Sequence, residues 1–305
     1  GYLIAALSRF GIALAATWPA SLFWRSTDRV GKGIRTAPRD ALLSAAVPKE
    51  EHSRAFGYHR AADTGGAVLG VVGALALLGW GHLSAARVVL AAAIVGLVAV
   101  VPLLALKEPD TRPAEGWTPQ TSRPRAGFIP FVAIAGLFSA GQVSYLFFLL
   151  RAGSESGILA AVAWYLLFNV VYAAAAYPFG LLGDAWGKSR VFLVGTLLMA
   201  LASLLFVPAP TPLLLGAGFV CMGLAFAATE GTGRAIAAGL AGSKASTHLG
   251  TYHAAIGLSA LAGGAAAGYV WDAAGPAILF LAGSAAVLLS CLAMLAWMGM
   301  RRPAA

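Results

Sequence analysis

Apolar runs separated by short polar breaks fill the whole chain. They predict helices over about 1–14, 19–46, 56–80, 84–106, 128–151, 158–182, 190–208, 212–238, 247–271 and 276–299. Most reach the ~20 residues that an α-helix needs to cross a bilayer. Trp18-Pro19 marks the first turn, and Pro48 to Arg54 forms a short polar loop. Residues 107–127 hold Pro109, Pro113, Pro119 and Pro124 among charges, and read as a linker between two halves. Fold class follows from this pattern: an all-α polytopic membrane protein.

One helix departs from the pattern. Between Arg25 and Asp40 the chain carries Arg25, Asp28, Arg29, Lys32, Arg35 and Arg39. At about 100° per residue, Arg25, Arg29, Lys32, Arg35 and Arg39 fall at about 0°, 40°, −20°, −80° and −40° around the axis. All five cations share one face about 120° wide, with Asp28 inside it and Asp40 at its edge. Such a stripe predicts a helix lining a polar cavity. The bland alternative is a basic loop. Arg25, Asp28 and Arg29 fall nearest mid-membrane, whereas Arg35, Arg39 and Asp40 fall nearer one surface, where a gate role competes with a substrate role.

Composition supports the membrane assignment. Of 305 residues, 59% are hydrophobic and 11% charged, whereas a soluble domain carries about 25% charged residues. The net charge of +9 is therefore read through its distribution and not as nucleic-acid binding. Alternating the loops across a membrane puts Lys49, Arg54, Arg60, Lys107, Arg112, Arg123, Arg125, Lys188, Arg190, Arg234, Lys244, Arg301 and Arg302 on one side. Arg87 and Arg151 fall on the other. The positive-inside rule makes the first side cytoplasmic. Cys221 and Cys291 lie in apolar runs, without disulfide or metal spacing. Nothing matches a Walker loop, a zinc motif or a Ser-His-Asp set, so no enzyme chemistry, cofactor or metal is expected.

Ionisable groups inside membrane helices mark function. His59, Arg60 and Asp63 share a face on one helix, and Glu230 and Arg234 stand at i, i+4 on another. Structural ion pairs are one reading; the other makes Asp63, Glu230 and His59 proton-coupling candidates. Gln142, Ser144 and Asn169 are polar points on apolar helices, either interhelical hydrogen bonds or, for Gln142 and Asn169, cavity residues. The two halves also echo each other. Gly57-Tyr58-His59-Arg60 resembles Thr251-Tyr252-His253-Ala254, and each opens a Gly-rich helix suited to close packing.

Pro178-Phe179-Gly180-Leu181-Leu182-Gly183-Asp184-Ala185-Trp186-Gly187-Lys188-Ser189-Arg190 resembles motif A of the major facilitator superfamily. Arg25 stands at the motif B arginine, although Arg29 replaces the usual glycine there. Gly66-x-x-x-Gly70-x-x-Gly73 resembles motif C of proton antiporters, with Val71 at the proline position. The run from Asp28 to Asp40 is similar to a subgroup of bacterial permeases. The resemblance implies two pseudo-symmetric six-helix bundles, of which about ten helices are present. Residues 1–106 would be an incomplete N-terminal bundle beginning in the third helix, and 128–305 the C-terminal one.

It further implies a secondary transporter of a small organic solute, working by alternating access, proton-coupled, with efflux as the first direction. An organic-anion importer or symporter is the alternative. A polytopic membrane enzyme or receptor on the same fold is the alternative of another class. Expected partners are a small-molecule substrate, protons and the lipid bilayer, with no nucleic acid. The protein would act as a monomer in a bacterial inner membrane, with both termini of the full-length protein cytoplasmic. Expected cavity residues are Arg25, Asp28, Arg29, Lys32, Gln142 and Asn169. Gate residues are Arg35, Arg39, Asp40, Arg60, Gly183, Asp184, Gly187, Lys188, Arg190 and Arg234. Among the buried groups cations outnumber acids, which leans the substrate toward an anion, with Arg25 and Arg29 the first contacts.

Overall fold

The last helix shows why this chain belongs in a bilayer. Phe280, Gly283, Val287, Cys291, Met294 and Trp297 repeat at helical spacing and are buried. Leu281, Leu288, Leu292 and Leu295 cover the opposite face and are exposed. A helix that is apolar all round suits lipid on one side and protein on the other.

The computed structural model describes residues 1–79, 83–98, 100–101, 123–209, 211–242 and 245–300. They form α1 (Tyr2–Leu14), α2 (Trp18–Ala45), a 3₁₀ turn (Lys49–Glu51), α3 (His52–Gly79), α4 (Ala85–Val98), α5 (Phe128–Gly141), α6 (Tyr145–Trp186), α7 (Lys188–Leu205), α8 (Pro212–Leu240) and α9 (Ala245–Met300). Among the described residues there is no strand. Residues 102–122, including most of the expected 107–127 linker, lie outside the description.

The boundaries correct the expected pattern in two places. The helix expected over 128–151 stops at Gly141, because Gln142 is extended and Ser144 caps the start of α6 by accepting from the Leu146 amide at 3.4 Å. The expected break near 151–158 is a kink inside α6 at Gly157, where φ is 81°. Likewise Gly275, with φ 84°, breaks α9 just before Pro276. Positive φ suits glycine, and proline suits a first helical turn. Each half of α9 then exceeds the length of one membrane span.

Phe128–Ser154, Ala163–Trp186, Lys188–Leu205, Pro212–Leu240 and Ala245–Met300 are long and apolar enough to cross a bilayer. The charges of α2 keep it out of that set despite its 28 residues.

Two compact units result. The first comprises 1–39 and 69–123. Within it α1 packs on α4, and α1 meets α2 at Gly31, whose missing side chain makes room for the Ala5 amide and the Gly1 carbonyl.

The second unit comprises 40–68 and 124–305, and so includes the end of α2 and the first part of α3. Here α5 packs on α9, and α8 packs on both α6 and α7. Buried hydroxyls tie helices together: Ser284 donates to the Ala200 carbonyl at 3.2 Å and Ser290 to the Ile134 carbonyl at 3.1 Å. Gly57 and Gly180 bring the backbones of α3 and α6 into contact. A Cβ on Gly180 would lie 2.7 Å from the Ser53 carbonyl oxygen and 3.0 Å from the Arg54 Cα. By contrast Gly65 and Gly66, also expected to mediate close packing, face open space among the described residues.

Candidate functional site: a charged cluster and an aromatic cavity

In the first unit, the stripe is helical as the spacing predicts. Arg25 and Arg29 are exposed, and Lys32, Arg35 and Arg39 half-buried. Asp28 is buried and pairs with Lys32, one turn on, at 2.6 Å. The Arg35 guanidinium lies 4.2 Å from the Tyr2 ring centroid, a cation–π distance.

The second unit holds a cluster built from the end of α2, α3, α8 and α9. Arg60 donates through Nη2 to the Glu230 carboxylate and through Nη1 to Asp63 at 3.2 Å. Its guanidinium also lies 5.6 Å from the Tyr172 ring centroid. Arg234 is 4% exposed and meets Asp40, which is fully buried, at 3.6 Å. It also lies 5.1 Å from the Phe56 ring centroid. Asp40 in turn contacts His253 Nε2 at 2.9 Å. Three carboxylates thus face two guanidiniums and one imidazole. Buried charges persist only with such partners.

This arrangement differs from the i, i+4 pair expected of Glu230 and Arg234. Arg234 Nε bonds the Glu230 backbone carbonyl at 3.0 Å, while the Glu230 carboxylate reaches Arg60 across the helices. The carboxylate that meets Arg234 is Asp40, from the end of α2.

Beside this cluster lies a cavity of about 260 Å³. Arg60, Asp63, Glu230 and Asn169 supply its ionisable and amide groups, and Thr64 a hydroxyl. Tyr145, Tyr165, Phe168, Tyr172 and Phe226 supply an aromatic wall, with Ala67 beside it. Tyr145 stacks on Tyr165 at 5.6 Å, and Phe226 stands edge-on to Phe168 at 5.3 Å and to Tyr172 at 5.6 Å. Asn169 makes no interhelical bond among the described residues: its Nδ2 donates to the Tyr165 carbonyl, one turn back, at 2.8 Å. Gln142 does not line this cavity; its amide sits 3.9 Å from Met199 Sδ. His59 is half-buried on α3.

None of the aromatic lining was singled out from sequence, because rings in apolar helices read first as packing. His253 was noticed only as an echo of His59, although that echo was a usable signal.

A second feature of this unit centres on Asp184. Its Oδ1 accepts from the Ser53 amide at 2.9 Å and its Oδ2 from the Arg54 amide at 2.6 Å. These are first-turn donors of α3, which have no partner inside their own helix. Lys188 lies 3.7 Å from Asp184 and donates to the Lys49 carbonyl. Gly183 leaves space for the Ser53 side chain, and Gly187, with φ 111°, ends α6. Arg190 donates to the Trp186 carbonyl at 3.2 Å. His52, ahead of the apolar part of α3, contacts the Ser44 carbonyl through Nε2 at 2.9 Å. A carbonyl only accepts, so Nε2 carries a proton. Burial, reinforced by the Lys188 charge, pulls the His52 pKa below its ordinary value.

The fold and these sites define a polytopic helical membrane protein with a charged, aromatic-lined interior. A sequence model described as Major Facilitator Superfamily matches residues 1–165. An MFS-type transporter of Methanocaldococcus jannaschii is 32% identical over 97% of this chain and 76% of its own length. A Mycobacterium tuberculosis protein is 29% identical over 80% of this chain. The match spans 63% of that mycobacterial protein, less than two thirds of its length. The structure of the human organic anion transporter MFSD10 (TETRAN) superposes with a TM-score of 0.78 at 19% identity, over 96% of this chain and 75% of that one. At that identity the likeness shows the fold. The chain belongs to the Major Facilitator Superfamily, a family of membrane transporters rather than enzymes.

Proposed function

We propose that the protein is a secondary transporter that moves a small organic anion together with a proton. The observation that carries this reading is Arg60. It lines the cavity while held by Glu230 and Asp63, both of which also line it. An incoming carboxylate must replace one of these acids on the guanidinium. A proton on Glu230 releases Arg60 and so favours the anion. By linkage, the anion then favours the proton equally. Ligands that help each other bind travel together, so this arrangement gives symport. The exposed cations Arg25 and Arg29 of α2 support the same substrate sign, as does the fold likeness to a human organic anion transporter.

A second reading has its own observation. Two acids and one guanidinium line the cavity beside aromatic faces, a setting that also suits an organic cation. A cation would compete with protons for the acids, giving proton-driven efflux. The two readings differ in sign. Binding of anionic, neutral and cationic solutes to purified protein, at two pH values, separates them. The symport reading requires anion affinity to rise as pH falls. The efflux reading requires cation affinity to fall. Basic residues near the Asp184 cap, Lys49, Arg54, Lys188 and Arg190, support a cytoplasmic placement of that end in an inner membrane.

A further inference from the structure

The walls of the cavity say more about its occupant than its charge does. Its apolar surface is aromatic except for Ala67. The rings of Tyr145, Tyr165, Phe168, Tyr172 and Phe226 form one continuous set, with Phe168 and Tyr172 5.8 Å apart and Tyr145 stacked on Phe168 at 6.3 Å. Aromatic walls favour a flat π-system over a puckered aliphatic body of equal size. Volume agrees: a cavity of about 150 Å³ accepts benzene, so about 260 Å³ holds a ring with a short polar arm.

Tyr172 bears on the polar part of the ligand. Tyr172 is 5% exposed and its hydroxyl has no hydrogen-bond partner among the described residues. An unpaired buried hydroxyl is costly. Tyr172 lines the cavity with Arg60, whose guanidinium lies over its ring. A donor beside a guanidinium is the chemistry that holds a carboxylate, with one oxygen on each. Resting on the anion reading above, we infer that this cavity takes a monocarboxylate bearing an aromatic ring, its carboxylate held by Arg60 and the Tyr172 hydroxyl.

The test measures equilibrium binding of phenylacetate and cyclohexylacetate to the purified full-length protein, wild type and Tyr172→Phe. Phenylacetate should bind about tenfold tighter than cyclohexylacetate, the size of a good aromatic contact. Tyr172→Phe keeps the ring and removes a hydroxyl without a protein partner. Its unliganded thermal midpoint should therefore equal or exceed that of wild type, while phenylacetate affinity drops about tenfold. Equal binding of phenylacetate and cyclohexylacetate, or unchanged affinity in Tyr172→Phe, overturns the ring and hydroxyl assignment but leaves anion transport standing. Binding of organic cations with no carboxylate bound at all overturns both.

Discussion

Asp184 and Arg54, 130 residues apart, are joined by a 2.6 Å hydrogen bond from the Arg54 amide to the Asp184 carboxylate. With the parallel bond from Ser53, a side chain from the end of α6 caps the start of α3. The carboxylate also suits the positive end of the α3 dipole. Asp184→Ala should therefore lower stability by about 1–2 kcal/mol, the cost of a lost cap. Asp184→Asn should lose less, since asparagine also accepts from helix amides. Thermal unfolding of the two variants in detergent checks the order; equal losses would mean that only charge matters.

Asp40 should show a non-additive cost. Asp40→Asn leaves Arg234 buried without its facing carboxylate, a change that costs about 3–5 kcal/mol when a buried pair is broken. Replacing both partners, Asp40→Asn with Arg234→Met, should recover part of that loss. A double-mutant cycle on unfolding midpoints measures the coupling. Additive losses would show that the pair is not an interacting unit.

How far the chain could be read unaided depended on range. The α2 stripe was legible because a helix face is fixed by residue spacing alone. The break within α9 just before Pro276 was legible for the same local reason. Partner choice was not. Arg60 and Glu230 lie 170 residues apart, and Asp40 and His253 lie 213 apart. Spacing placed Glu230 with Arg234 because i, i+4 neighbours can pair, but packing of α3 against α8 offered Glu230 a different cation. The aromatic cavity was hidden too. A ring that lines a cavity and a ring that packs against lipid look alike in an apolar run.

His52 gives a pH dependence. Its pKa is lower in the folded protein than the ordinary value of about 6.5, because burial and the Lys188 charge disfavour the protonated form. The unfolded chain then binds the proton first as pH falls. The stability that goes with a buried neutral His52 is fully present above about pH 6.5 and is lost as pH drops from there through the folded pKa, because the imidazolium must then be buried beside Lys188. His52→Gln should flatten the unfolding midpoint across pH 5 to pH 7. A profile as steep as wild type would assign the dependence elsewhere.

Gly180 and Gly66 should respond oppositely to alanine. At Gly180 a Cβ meets backbone atoms of α3, so the helices must part, at about 1–3 kcal/mol for overpacking. Gly66 faces open space among the described residues, and alanine there should stabilise by up to about 1 kcal/mol through helix propensity. Thermal midpoints of the two variants, compared side by side, check this. A stable Gly180→Ala would show that α3 and α6 do not need backbone contact.

The most direct test of the transport account is carboxylate uptake into proteoliposomes under an imposed pH gradient, acidic outside. Wild type should accumulate the labelled anion above its equilibrium level. Arg60→Gln should abolish binding and uptake together. Glu230→Gln, which mimics the protonated acid, should still bind and exchange the anion but no longer concentrate it with the gradient. Gradient-driven accumulation that survives Glu230→Gln, or uptake of organic cations driven by a gradient of the opposite sense, would contradict the account.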